Sequence, residues 1–117
     1  MARHLHGPFT LTILNTATDS AAYTVQSTLG SISTITVFAP ATLPETTTIQ
    51  VAHIDNPQAA DWKTLTWQPG AVDIAFAAGK ATNIPLVAGF RAMRIHATGA
   101  VAADRIFQLI IQIDTDV

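Results

Sequence analysis

The chain has 117 residues, of which 49% are hydrophobic and 12% charged, with a net charge of −2 and no cysteine. That length suits one domain around one core. The missing cysteines exclude disulfide frameworks and thiolate zinc sites, and the lack of a basic run argues against direct nucleic-acid binding.

The charged share is about half the usual one, and 17 threonines take its place. A surface of Thr and Ala is β-favouring and weakly hydrated. Either Thr simply suits the solvent face of strands, or much of the surface meets other protein.

Residues 1–8, Met-Ala-Arg-His-Leu-His-Gly-Pro, read as an N-terminal arm closed by Gly7-Pro8, with the folded domain over 9–117. They lack the apolar segment of a signal peptide, and no run approaches the ~18 apolar residues of a membrane span. The expectation is a soluble protein assembled in the cytoplasm.

Phe9, Leu11 and Ile13 alternate with threonines and predict a first strand, ended by the turn-rich 15–20 segment. Tyr23 and Val25 suggest a second strand closed by Leu29-Gly30, and Ile35 and Val37 a third that Pro40 stops. Ile49 and Val51 carry a fourth after Pro44-Glu45, ended by Asp55-Asn56-Pro57. Ala59-Ala60-Asp61 can form one helical turn, but no segment keeps apolar residues at helical spacing over the 11 or more residues of an amphipathic helix.

From Trp62 onward the pattern is densest. Trp62 to Trp67, then Val72, Ile74 and Phe76, then Ile84 to Leu86, then Gly89 to Ile95 lie between turn signals. Phe107, Leu109, Ile111 and Ile113 then recur at every second position. Period two marks strands with one buried face, and turns every 8–12 residues mark sandwiches and jelly rolls. The fold expected is all-β, a single-domain, jelly-roll-like β-sandwich of about eight or nine strands. Ile110 beside Ile111 makes the last strand apolar on both faces. It therefore lies centrally, or a subunit covers its outer face.

Chemistry-bearing residues are sparse. His4 and His6 share one side of an extended segment, but two ligands do not make a metal site. His53 continues the inward parity of Ile49 and Val51, and His96 has the outward parity. Asp19, Asp55, Asp61 and Asp104 flank strands, where Asp commonly accepts backbone N–H groups. Asp114 and Asp116 with Thr115 form a terminal acidic group that is ordinarily just solvated.

No nucleophile elbow or converging carboxylate pair is present, so no catalytic residue, metal or cofactor is assigned. Trp67 shares parity with Leu65 and reads as core, whereas Trp62 is exposed or interfacial and leaves a sugar-stacking module open. Arg91 and Arg94, three apart, point to opposite faces, and one of them is expected half-buried near a carboxylate. Arg105, beside Asp104, belongs to an intramolecular pair closing the sandwich or to an inter-subunit bridge.

Several segments carry a resemblance. Trp62-Lys63-Thr64-Leu65, the Ala78-Gly79-Lys80 turn, Ile84-Pro85-Leu86, Gly89 to Ile95 and Ala102 to Phe107 resemble small structural proteins of tailed bacteriophages, the capsid cement or decoration proteins. The resemblance implies a non-enzymatic domain on the capsid exterior of the virion, a dimer or trimer that bridges major capsid proteins. It extends equally to a neck, tail or baseplate subunit. On that reading the contact residues are Arg3, His4, Leu5 and His6 of the arm, together with Trp62, Arg91, Arg94, Arg105 and the outer face of the last strand.

Overall fold

The structure, a computed structural model, describes residues 2–24, 31–67, 72–84 and 90–115, with backbone alone for 2–4, 31–33, 67, 72 and 113–115. Its strands are β1 (Ala2–Ile13), β2 (Tyr23–Thr24), β3 (Ser31–Phe38), β4 (Thr47–Ala52), β5 (Lys63–Thr64) and β6 (Thr66–Trp67), then β7 (Val72–Asp73), β8 (Ala75–Phe76), β9 (Ala81–Ile84), β10 (Ala92–Ala97) and β11 (Arg105–Thr115).

They form two antiparallel sheets. One has the order β1-β11-β3-β9, the other β2-β10-β4-β5 with β8 also paired to β4, and β6 and β7 make a small separate ribbon. The two sheets thus hold nine strands, as the turn spacing predicts, and the expected helical turn is a 3-10 turn at Ala59–Asp61.

Alternation decides which face each strand buries. Leu11 and Ile13 of β1, Ile35 and Val37 of β3, Ile84 of β9, and Phe107, Leu109 and Ile111 of β11 form one wall of the core. Ile49, Phe76, Met93, Ile95 and Ala97 form the other. Rings close the gap between the sheets, Phe76 against Phe107 with centroids 5.7 Å apart and Phe9 against Tyr23 at 5.3 Å. Burying a side chain of this size contributes about 1.5–3 kcal/mol, so this double wall is the main source of stability.

Several expectations change. Residues 2–8 are not a free arm. They form the first half of β1, with Ala2 opposite Thr115 and His6 opposite Ile111. The reason is the length of β11, whose 11 residues reach past Phe9 and template the chain that precedes it.

Gly7 and Pro8 make a bulge, two residues against the one Ile110, between the pairs His6–Ile111 and Phe9–Leu109. Gly7 has φ +115°, and a Cβ there would lie 2.5 Å from the Leu109 carbonyl oxygen, so both backbone and space demand glycine. Pro8, lacking an N–H, is tolerated because β1 is an edge strand.

His53 is exposed rather than inward, because β4 ends at Ala52 and its alternation stops there. The stretch from Trp62 to Phe76 splits into β5 to β8, whose members join different sheets. Val25 to Gly30, Pro85 to Gly89 and the side chain of Trp67 lie outside the described residues. The last strand is central in its sheet, between β1 and β3, as one of the two readings of its apolarity requires.

Candidate interaction faces

The outer face of the four-stranded sheet follows from register alone, because directly opposed residues share a face. At one end Thr12 stands opposite Ile106, with Leu14 just beyond. The next row is Thr10, Gln108, Phe38 and Ala81, and the one after it Ile110, Thr36 and Asn83. Leu5, Gln112 and Thr34 follow.

None of these side chains is charged. Beyond them the register sets Arg3 opposite Asp114 at the end of the sheet. Leu5 is 59% exposed, Leu14 61%, Phe38 44% and Ile106 48%, so four large apolar groups face outward across one sheet. Two pairs of its polar members are engaged with each other: Thr10 Oγ1 donates to Gln108 Oε1 at 3.1 Å, and Thr36 Oγ1 to Asn83 Oδ1 at 2.7 Å.

The outer face of the five-stranded sheet is its opposite in character. β10 and β4 place Arg94 opposite Gln50, and the Arg94 Nε–H donates to Gln50 Oε1 at 2.8 Å. Its guanidinium lies 4.5 Å from the Trp62 ring centroid, a cation–π contact. Arg94 Nε is also 3.6 Å from Asp19 Oδ1, the oxygen that contacts His96 Nδ1.

Asp19 reaches this group through a bridge between residue 19 and His96. Ser20 anchors that bridge, its buried Oγ accepting the Ile95 N–H at 2.9 Å. Burial acts to raise the Asp19 pKa, but the hydrogen bonds from His96 and Thr18 and the charge of Arg94 outweigh it, and the carboxyl sits below its ordinary value.

A third cluster clamps one end of the sandwich. Arg105 is 7% exposed and inward on β11, and its Nε and Nη2 donate to the two Glu45 oxygens at 2.9 and 3.0 Å. This bidentate fork lowers the Glu45 pKa and raises that of Arg105.

The sequence-derived candidates therefore separate. Arg94 lies half-buried on the outer face of β10 near Asp19, and Arg91, which precedes β10, is 65% exposed and 3.5 Å from Asp55. Arg105 belongs to an intramolecular pair, with Glu45 rather than the adjacent Asp104. Trp62 joins Arg94, Leu5 lies on the neutral face, and His6 is half-buried in β1. Arg3 and His4 are placed by backbone only, opposite Asp114 and Ile113.

Asp61 and Asp104 accept backbone N–H groups of Gln58 and Asn15, each at 2.7 Å, as expected of turn aspartates. No group of three or more His, Asp or Glu side chains suited to a metal ion occurs among the described residues. Sequence reasoning named the outer face of the last strand, which holds Ile106, but missed Phe38 and Leu14 as face residues, although each has the parity opposite to a core neighbour. It also missed Asp19 as a partner of His96, for which a separation of 77 positions leaves no local signal.

No protein-family model matches this chain, and neither does any curated protein or solved structure.

Proposed function

We propose that the chain is a non-enzymatic virion structural protein that binds the outside of a tailed-phage capsid and cements neighbouring major capsid proteins. The observation that supports an assembled, structural role is the neutral outer face of β1, β11, β3 and β9, with four exposed apolar side chains and a described charge only at its border, Asp104; the shell would be met by the opposite face around Trp62 and Arg94. Exposed apolar patches of that kind mark surfaces that another protein covers.

The resemblance of the second half of the chain to cement proteins supplies the class of partner. Repetition over an icosahedral shell turns weak single contacts into strong retention, because each further contact is effectively intramolecular. The engagement of Asp19, Glu45, Asp55, Asp61 and Asp104 with partners in their own chain also supports a role without catalysis. A sugar-stacking role for Trp62 is disfavoured, since the Arg94 guanidinium already lies over its ring.

The test is co-sedimentation of the full chain with empty capsid shells. Saturable pelleting is expected, weakened when Phe38 or Ile106 is changed to Asp because a chain that no longer assembles loses avidity for the shell. A folded chain that stays in the supernatant at every concentration refutes the proposal, and binding on a glycan array would replace it.

A further inference from the structure

We infer that the neutral face of the four-stranded sheet is a two-fold interface between two copies of this chain. The inference rests on the reading that this face is covered by protein, and it names the occupant.

Charge is the first argument. Surfaces built for a foreign partner commonly use complementary charge for steering and register. The described side chains in the rows from Thr12 to Leu5 offer none, and Asp104 stands only at the border beside Leu14, so two copies meet without like-charge repulsion across the centre. The second argument is hydrogen bonding. With Thr10 bonded to Gln108 and Thr36 to Asn83, these polar groups are engaged before anything docks. Covering them needs no partner-specific donors, and an apolar-and-threonine surface complements itself.

Area is the third argument. Three strands at about 4.8 Å over about nine residues at about 3.4 Å, with the four residues of β9 beside them, give a face on the order of 500 Å² in projection. Side-chain relief raises the accessible area toward the roughly 800 Å² per partner of a stable interface.

Register then suggests the arrangement. A two-fold axis lying in the face, across the strands at Gln108, sets Ile106 of one copy over the partner's Ile110. Both isoleucines lie two residues from Gln108 on the central strand β11, and the hydroxyl-bearing rows fall against each other on either side. The packed sheets would lie about 10 Å apart, at the aligned angle of sandwiches. Such a dimer leaves the Trp62, Arg94, Asp19 and His96 face on both of its outer sides, free to meet a shell.

The experiment is light scattering on the full chain across a concentration series, with Ile106→Asp, Phe38→Asp and, away from the face, Ile54→Asp. Ile106, Phe38 and Ile54 are 48%, 44% and 36% exposed, so the variants keep the core, and circular dichroism checks that they fold.

The wild type and Ile54→Asp are expected at twice the 12.4 kDa chain mass. Ile106→Asp and Phe38→Asp are expected at one chain mass, with dimer affinity at least about 100-fold lower, because each dimer would bury two unpaired carboxylates. A wild-type monomer at every concentration overturns the inference, as does a dimer that both face variants leave intact. Adding empty shells separates the two readings. A monomer that pellets with shells overturns the dimer and keeps the capsid role, and a face-dependent dimer that never pellets keeps the dimer and overturns the capsid role.

Discussion

Thr47 provides a sharp test of the core. It is fully buried on β4, facing inward with Ile49, and its Oγ1 has no hydrogen-bond partner among the described residues. A buried hydroxyl without a partner costs about 1–3 kcal/mol, the desolvation that nothing offsets. Thr47→Val keeps the branched shape that β4 favours and replaces that hydroxyl with a methyl group. The methyl contributes up to about 0.8 kcal/mol if it packs as well as an average buried group.

The substitution is therefore expected to stabilise by about 1–2 kcal/mol, a large gain against a total of about 5–15. Thr64→Val, at an exposed position of β5, should stay within about 0.5 kcal/mol of wild type. Urea unfolding at fixed protein concentration measures both, since an oligomer's midpoint moves with concentration. The expected result is a higher midpoint with an unchanged slope for Thr47→Val. An unchanged or lower midpoint at the same slope would refute the reasoning.

Gly7→Ala tests whether residues 2–8 are strand: with φ +115° and a contact of 2.5 Å to the Leu109 carbonyl, it should cost about 3 kcal/mol in the same assay, whereas a free arm would show no change. Thr16 has φ +71° although it is β-branched, so Thr16→Gly should raise the thermal midpoint by a few degrees, about 1 kcal/mol of relieved strain less the added chain entropy. The Glu45 pKa is lowered by Arg105, so the pair's contribution is complete above the unfolded-state pKa and is lost as pH falls through the lower folded value. Asp19, also lowered, adds a loss of the same sign. Glu45→Gln should therefore flatten the acid limb of the stability curve without removing all of it, and an acid limb identical to wild type would contradict the pairing.

The fold is well written in the sequence where one face of a strand is simply apolar. Phe107, Leu109 and Ile111 declare β11, and Met93, Ile95 and Ala97 occupy the buried face of β10 as alternation demands. The N-terminal half of β1 is not legible in that way. Gly7-Pro8 is a sound turn signal, and only the length of β11 converts it into a bulge within a strand. The splitting of 62–76 among different sheets is likewise decided by pairing, since two-residue strands carry no periodicity of their own.

The candidate faces were legible in part. Parity alone would set Arg91 with Met93 and Ile95 on the buried face, but it precedes β10 and is exposed, while Gln50, Trp62 and Asp19 converge on Arg94 of the outer face from three distant segments. Likewise Arg105 finds Glu45 across 60 residues instead of its neighbour Asp104. The neutral face needs the strand order, because Phe38, Ile106 and Leu5 are unremarkable one by one and become a surface once β1, β11 and β3 lie side by side.

In the proposed assembly the face of β1, β11, β3 and β9 is covered by protein. A reconstruction of shells decorated with the full chain tests it most directly. Density for a second polypeptide is expected over Ile106, Phe38 and Ile110, with the opposite face of the sandwich toward the shell. A single copy whose Ile106 and Phe38 face open solvent would contradict it.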